Sequence, residues 1–258
     1  MSEYDGKQFV GIDLHRCRSV IVRQNRDGDR LGMVRITNDP IALASEIAKA
    51  GEAPEVMLEA TYGWYWAADV LAEAGAHVHL AHPLGIKGFT YRRVNNDVRD
   101  ATDLADLLRM GRLPEAWIAP PATRQPRELV RHRAKLVNLR SGVKASVHAV
   151  LAKQGLRPPV TDLFGVRGRA WLATAPLDAA YRARVNSLCR LVEAFDFEIG
   201  IAARLTAPRL ARDPGYRAIQ AIPGVGPILA AAISVSPVAS TATNAISSGV
   251  FFCMRPAL

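Results

Sequence analysis

Four carboxylates stand where a carboxylate is costly or where two can share one target. Asp13 interrupts the apolar run of Phe9, Val10, Ile12 and Leu14, and a buried acid needs a cation to meet it. Glu59 sits at the exit of the short apolar segment "EVMLEA". Asp97 and Asp100 are three apart in "NNDVRDATDLADLLRMG", a spacing that puts both on one helix face. Asp103 and Asp106 continue that spacing, so it does not single out one pair. Brought together, such acids are hard oxygen ligands for Mg²⁺ or Mn²⁺, ions that activate a nucleophile and stabilise a leaving oxygen in phosphodiester chemistry. The competing expectations are a solvated acidic helix face and, for Asp13, a strand position facing water.

Other groups carry weaker signals. His15 lies two residues beyond Asp13 on the same strand face and is within reach of any site there. "HVHLAHP" places His77 and His79 on one strand face with His82 nearby, but no fourth zinc ligand is evident. "TYGWYW" crowds Tyr62, Trp64, Tyr65 and Trp66 behind Glu59. Base stacking is one use for them, and the packed face of the following helix is the better expectation.

The elements that must position these groups read as follows. Residues 8–14 and 19–25 are strands, "NRDGDR" is a turn, and "LGMVRIT" completes a meander. "PIALASEIAKAG" and "GWYWAADVLAEAG" are helices ending at Gly51 and Gly75, with "EVMLEA" and "AHVHLAHP" as further strands. "NNDVRDATDLADLLRMG" is a helix stopping at Gly111. The order β-β-β-α-β-α-β-α implies an α/β fold with a mixed sheet flanked by helices.

Beyond residue 120 the character changes. The chain of 258 residues has a formal net charge of +9, but residues 1–120 carry 14 Lys/Arg against 17 Asp/Glu while residues 121–258 carry 19 against 7. A basic second half suggests a polyanionic partner, nucleic acid above all. "RELVRHRAKLVNLRSGVKASVHAVLAKQG" spaces Leu129, Leu136, Val143 and Val150 seven apart, with Leu139 and Val147 between them. Such a seam needs a partner helix, and the segment with Val185, Leu188, Val192, Phe195, Ile199 and Leu205 offers one. The intervening Pro158, Pro159, Gly165 and Gly168 read as loops and short turns. Arg124, Arg127, Arg131, Arg133, Lys135, Arg140 and Lys144 surround the seam, either as a solvated coiled-coil surface or as phosphate contacts, the latter favoured by the size of the charge excess.

Three cysteines, Cys17, Cys189 and Cys253, are too scattered for a disulfide framework, which points to a reducing cytoplasm. No run is apolar and long enough to span a membrane. After "IQAIPGVGPILAAAISV" the tail loses charge and periodicity. Its serines, Ser234, Ser236, Ser240, Ser247 and Ser248, have no His, Asp or Glu after Asp213 to activate them. The expected layout is a catalytic domain over 1–120, a basic helical region over 121–214, and a truncated start of another domain over 215–258.

Taken in order, "GIDLH", "LEATYG" and "NDVRDATDLADLL" resemble the DEDD transposases of bacterial insertion sequences (insertion-sequence 110 type). Further on, "IPGVGPILAAAI" resembles the opening of that family's C-terminal transposase domain. The resemblance covers about residues 8–235. It implies a ribonuclease-H-like domain similar to the RuvC Holliday-junction resolvase. The family's tetrad falls on Asp13, Glu59, Asp97 and Asp100, as catalytic residues and as ligands of Mg²⁺ or Mn²⁺. Asn95 and Asn96 stand where the family commonly has Lys-Thr, a departure beside the site. The implied function is DNA transposition and recombination on element ends and target DNA, by a homo-oligomer, with a structured guide RNA as a further implied partner. Because the tail reads as incomplete, the expectation is that this chain does not complete transposition alone. The rival expectations are a catalytically inactive nucleic-acid-binding remnant and an actin-like or sugar-kinase ATPase, whose glycine-rich phosphate loops are missing.

Overall fold

The computed structural model of the chain describes residue 4, residues 6–86 and residues 96–236. Asn95 and the serines at 240, 247 and 248 lie outside the described residues. The chain divides into two compact units, meeting at Ile118 and Ala119.

The first unit is built on strands β1 (Phe9–Leu14), β2 (Arg18–Gln24), β3 (Arg30–Thr37), β4 (Glu55–Glu59) and β5 (His77–Ala81), in the spatial order β3-β2-β1-β4-β5. The first three form the antiparallel meander, and β4 and β5 run parallel to β1. The β2–β3 turn is closed by the Asn25 Oδ1, which accepts from the Asp27 and Asp29 amides at 3.0 and 2.8 Å. Gly28 supplies the positive φ of 95° that the turn requires.

Helices follow where the spacing of apolar residues predicts them: α1 (Pro40–Ala48), α2 (Trp64–Glu73) and α4 (Asp97–Arg109). The short α3 (Pro83–Ile86) has no counterpart in the sequence reading. Asp39 caps α1 by accepting from the Ala42 amide, and Asn96 caps α4 through the Val98 amide.

Strand alternation then decides which face meets which helix. Val10, Ile12 and Leu14 pack with Leu43 and Ile47 of α1 and Ala67 and Leu71 of α2. Ile12, Leu58 and Leu71 are fully buried, each side chain contributing about 1.5–3 kcal/mol on leaving water. The opposite face turns Phe9 towards Leu104, Leu107 and Leu108 of α4, while Val20 and Val22 of β2 meet Val98 and Ala101. The sheet is therefore covered on both sides, which explains why its central strand reads as almost uninterrupted apolar sequence.

The second unit is helical: α5 (Pro121–Lys153), α6 (Val166–Thr174), α7 (Ala179–Leu210), α8 (Pro214–Gln220) and α9 (Pro227–Ser234). Helices α5 and α7 form an antiparallel hairpin. Val147, Val150 and Leu151 pack near Val185 at one end, and Val130 packs near Leu210 and Tyr216 at the other. Three details correct the sequence reading. Helix α6 occupies part of the stretch expected to be loops and turns, its Gly168 lying so close to Leu163 that a Cβ would stand 2.3 Å from that carbonyl oxygen. Leu139 and Leu205 are each 44% exposed and lie off the seam, while Thr206 and Leu210 are buried. At mid-hairpin an ion pair between Arg140 and Asp196 joins the helices, so the contact there is polar. No helix among the described residues is long and apolar enough to cross a membrane.

Candidate metal centre

The site begins with a glycine. Gly11 lies on the α4 face of β1, and a Cβ built there would stand 1.9 Å from the Ala101 carbonyl oxygen and 2.7 Å from the Ala105 amide nitrogen. Only a residue without a side chain lets the helix backbone approach so closely. That approach carries the first turn of α4, with Asp97 and Asp100, past the end of β1. Asp13, two residues beyond Gly11 on the same face, is the acid they meet.

The contacts are specific. The Asp13 Oδ2 lies 3.0 Å from the His15 Nε2, and the Asp97 Oδ1 lies 3.6 Å from the same nitrogen. The other Asp97 oxygen, Oδ2, accepts from the Arg18 Nη2 at 3.4 Å. One ligand atom from each of Asp13, His15 and Asp97 falls within 4.8 Å of the others, a geometry that can hold a metal ion. On the neighbouring parallel strand the register pairs Ile12 with Leu58, which brings Glu59 to the same end of the sheet as Asp13. Asp13, Leu14, His15, Arg16, Glu59, Thr61, Tyr62 and Asp100 line one open cleft of about 500 Å³. The four acids thus gather at one end of the sheet, with Asp97 on the His15–Arg18 side and Asp100 on the cleft side.

Electrostatics agree with an unfilled need for positive charge. Burial pushes the Asp13 carboxyl above its usual range, and Asp100 and Asp97 add to the rise, while His15 opposes it. Burial also raises Asp100, with Asp103 and Asp97 adding repulsion and His15 again opposing. The N-terminus of α4 favours acids in its first turn, but it does not cancel their mutual repulsion.

The remaining candidates have other duties. Asp106 pairs with Arg109 within α4 at 3.0 Å. His79 lies between Glu55 and Glu115 at 2.6 and 2.8 Å, and His77 lies 3.4 Å from Glu55. Because Glu55 pairs with His77 across β4 and β5, this cluster is at the other end of the parallel strands. The aromatic group divides: Trp64 and Trp66 pack against the core, whereas Tyr62 is 75% exposed at the cleft.

The seven basic residues also divide. Arg124 and Arg127 are buried, donating to the backbone carbonyls of Ala119 and Val235. As placed, both side chains are turned to backbone carbonyls and offer little surface to solvent. Arg140 is engaged with Asp196, and the Lys144 ammonium lies 4.7 Å over the Phe164 ring. Arg131 and Lys135 are exposed and Arg133 is half-buried.

Sequence reasoning weighed His15 but missed Arg16 and Thr61, which lie outside the regular elements where no periodicity marks them, and Arg18, the first residue of β2. Arg18 had one available signal: a cation at the start of a strand two residues from a neighbour of a buried acid.

A 3-2-1-4-5 mixed sheet with helices on both faces, and acids gathered at the end of its central parallel pair, defines the ribonuclease-H-like class of α/β proteins. Within that class the chain belongs to the IS110-type DEDD transposase family, which residues 10–154, more than half its length, match under the description "Transposase". It is also similar to a curated protein of Sinorhizobium fredii (strain NBRC 101917 / NGR234) named "Putative transposase y4qE", with 27% identity over 177 residues. That match takes in 66% of this chain and 45% of the relative, so the chain spans about half the relative's length.

Proposed function

We propose that Asp13, Glu59, Asp97 and Asp100 hold Mg²⁺ or Mn²⁺, and that the chain acts on DNA phosphodiester bonds in transposition and recombination. The observation that carries this reading is the meeting of Asp13 and Asp97 at the end of β1, with Asp100 and Glu59 turned to the same end. The donor set fits a divalent cation, because a cation relieves the repulsion among these half-buried acids, which together with burial raises the proton affinity of Asp13 and Asp100. When bound, such an ion supplies Lewis acidity to the phosphate and a more acidic attacking hydroxyl or water.

The chain's own residues would do the rest. Asp13, on the central strand, and Asp97 and Asp100, on a helix locked against it, fix the ligand oxygens before DNA arrives. Arg16 offers positive charge and Tyr62 an aromatic face at the cleft for the strand to be cut. In the helical unit Arg131, Arg133 and Lys135 are the cations best placed for phosphates, on element ends, target DNA or a structured guide RNA. A homo-oligomer would present two such sites to two DNA ends.

The test is calorimetry with Mg²⁺ and Mn²⁺, joined to a nicking assay on element-end DNA. The expected result is binding and nicking by the native chain, both lost in Asp13→Asn and Asp97→Asn. Nicking without metal, or metal uptake unaffected by either substitution, would sink the proposal.

A further inference from the structure

We propose that His15 is itself a metal ligand, and that its nitrogen shifts this site's preference from Mg²⁺ towards Mn²⁺. The inference rests on the metal-binding reading above and extends it to a residue outside the four acids.

Distances support ligation. Two ligands each about 2.1 Å from a metal stand about 3.0 Å apart at right angles and about 3.4 Å apart in a tetrahedron. The His15 Nε2 stands 3.0 Å from the Asp13 Oδ2 and 3.6 Å from the Asp97 Oδ1, close to both separations. Both oxygens approach the same nitrogen. Arg18 lies against the other Asp97 oxygen at 3.4 Å and leaves Oδ1 turned to His15. The imidazole nitrogen faces both acids, and the side chain is 48% exposed, so an ion can reach it.

The backbone around His15 is fixed, as a ligand's should be. Its amide donates to the Arg18 carbonyl at 3.1 Å, and its carbonyl accepts from the Asn38 Nδ2 at 2.6 Å. Asn38 also accepts from the Ser19 hydroxyl at 2.6 Å and donates its own amide to the Cys17 carbonyl at 3.0 Å. A single asparagine at the end of β3 thus ties down the whole β1–β2 turn that presents His15.

The consequence is metal selection. Mg²⁺ requires near-octahedral oxygen coordination and gives up water reluctantly. First-row transition ions accept imidazole more readily than Mg²⁺ does, and Mn²⁺, the weakest binder of that series, is the member closest to Mg²⁺ in its liking for oxygen. A site of carboxylates alone treats Mg²⁺ and Mn²⁺ similarly, whereas one nitrogen among them separates the two.

The experiment uses the full chain, stripped of metal and titrated with Mn²⁺ and, separately, Mg²⁺, with pulsed electron paramagnetic resonance on the Mn²⁺-loaded protein. The expected spectrum shows a directly bonded nitrogen that disappears in His15→Asn and His15→Ala. Mn²⁺ affinity should fall by about tenfold or more, the scale of losing a metal-site partner. Mg²⁺ affinity should change by less than about threefold in His15→Asn, whose side-chain oxygen suits that ion. Bound Mn²⁺ without nitrogen coupling, coupling that survives both substitutions, or a parallel fall for the two ions would overturn the proposal and leave His15 as a residue that positions Asp13. An Asp13→Asn control separates the two levels. If that variant takes up Mn²⁺ as the native chain does, or the native chain takes up none, the metal-binding reading fails as well.

Discussion

Gly11 and Ala101 are in backbone contact: a Cβ on Gly11 would stand 1.9 Å from the Ala101 carbonyl oxygen. Neither partner is the flexible end of a side chain, so Gly11→Ala must move the helix. The expected cost is about 3 kcal/mol, the upper end of ordinary overpacking. Urea unfolding should show a lower midpoint, and the protein that still folds should take up less metal because Asp97 and Asp100 withdraw from Asp13. A substitution neutral in both measurements would show that the contact does not position the site.

The crowded acids also set a pH dependence. Burial raises the proton affinity of Asp13 and Asp100, so the folded chain binds more protons than the unfolded chain above about pH 3.8, where an ordinary aspartate titrates. In metal-free protein their contribution to stability must then fall as pH rises through that window. Glu55 works in the opposite sense: burial pushes it up, but Lys7 and His79 outweigh burial and hold it low. Comparing Asp13→Asn with the native chain isolates the site. In chelator near neutral pH the variant should melt at a higher temperature than the native chain. The gain should vanish at acid pH and reverse when metal is added. A variant that melts lower at neutral pH in chelator would refute the repulsion argument.

Tyr62 stands 75% exposed at the rim of the cleft, next to Gly63, whose φ of 75° turns the chain into α2. Stacking of one base on an aromatic ring contributes about 1–3 kcal/mol. Tyr62→Ala should therefore weaken binding of single-stranded or frayed DNA by about fivefold to a hundredfold, with the melting temperature unchanged. Trp64→Ala should instead lower stability, since Trp64 packs on the core. Unchanged DNA affinity in Tyr62→Ala would remove the ring from the binding surface.

On the helical unit, reversing the charge of Arg131, Arg133 and Lys135 should reduce affinity alike for unrelated DNA sequences. The slope of log affinity against log salt should flatten by about 0.9 for each phosphate no longer neutralised. Arg124→Ala and Arg127→Ala should behave differently, lowering thermal stability because both side chains are buried on carbonyls. A sequence-selective loss, or an unchanged salt slope, would count against phosphate binding by these three cations.

Much of this architecture is legible in the sequence alone. Continuous apolar runs mark the central strands, which are buried on both faces, and helical apolar spacing marks the helices packed against them. Asp13 announces itself by sitting in a strand too apolar to tolerate it. What escapes has a common cause: it depends on contacts between residues distant in sequence. Whether Leu139 or Leu210 lies on the seam is set by what α7 presents at that level, which a single helix pattern does not record. Arg124 and Arg127 read as surface charge, yet both are buried and donate to the Ala119 and Val235 carbonyls. Arg16 and Tyr62 join the site through a turn and a loop, where neither pattern applies, and Arg18 joins it from the first position of β2.

The close approach at Gly11 also bears on how the domain assembles. Strands β1 to β5 precede α4 in the chain, so the meander and β4 can form while the acids of α4 are still remote. The acids of α4 already repel one another along the helix, and docking adds the repulsion between Asp13 and the Asp97–Asp100 pair. Docking of α4 is therefore the step that charge slows, and the step that a divalent cation should accelerate. For this chain the metal would be a folding ligand before it was a catalytic one, and refolding in chelator should reach the same fold with a slower final docking of α4.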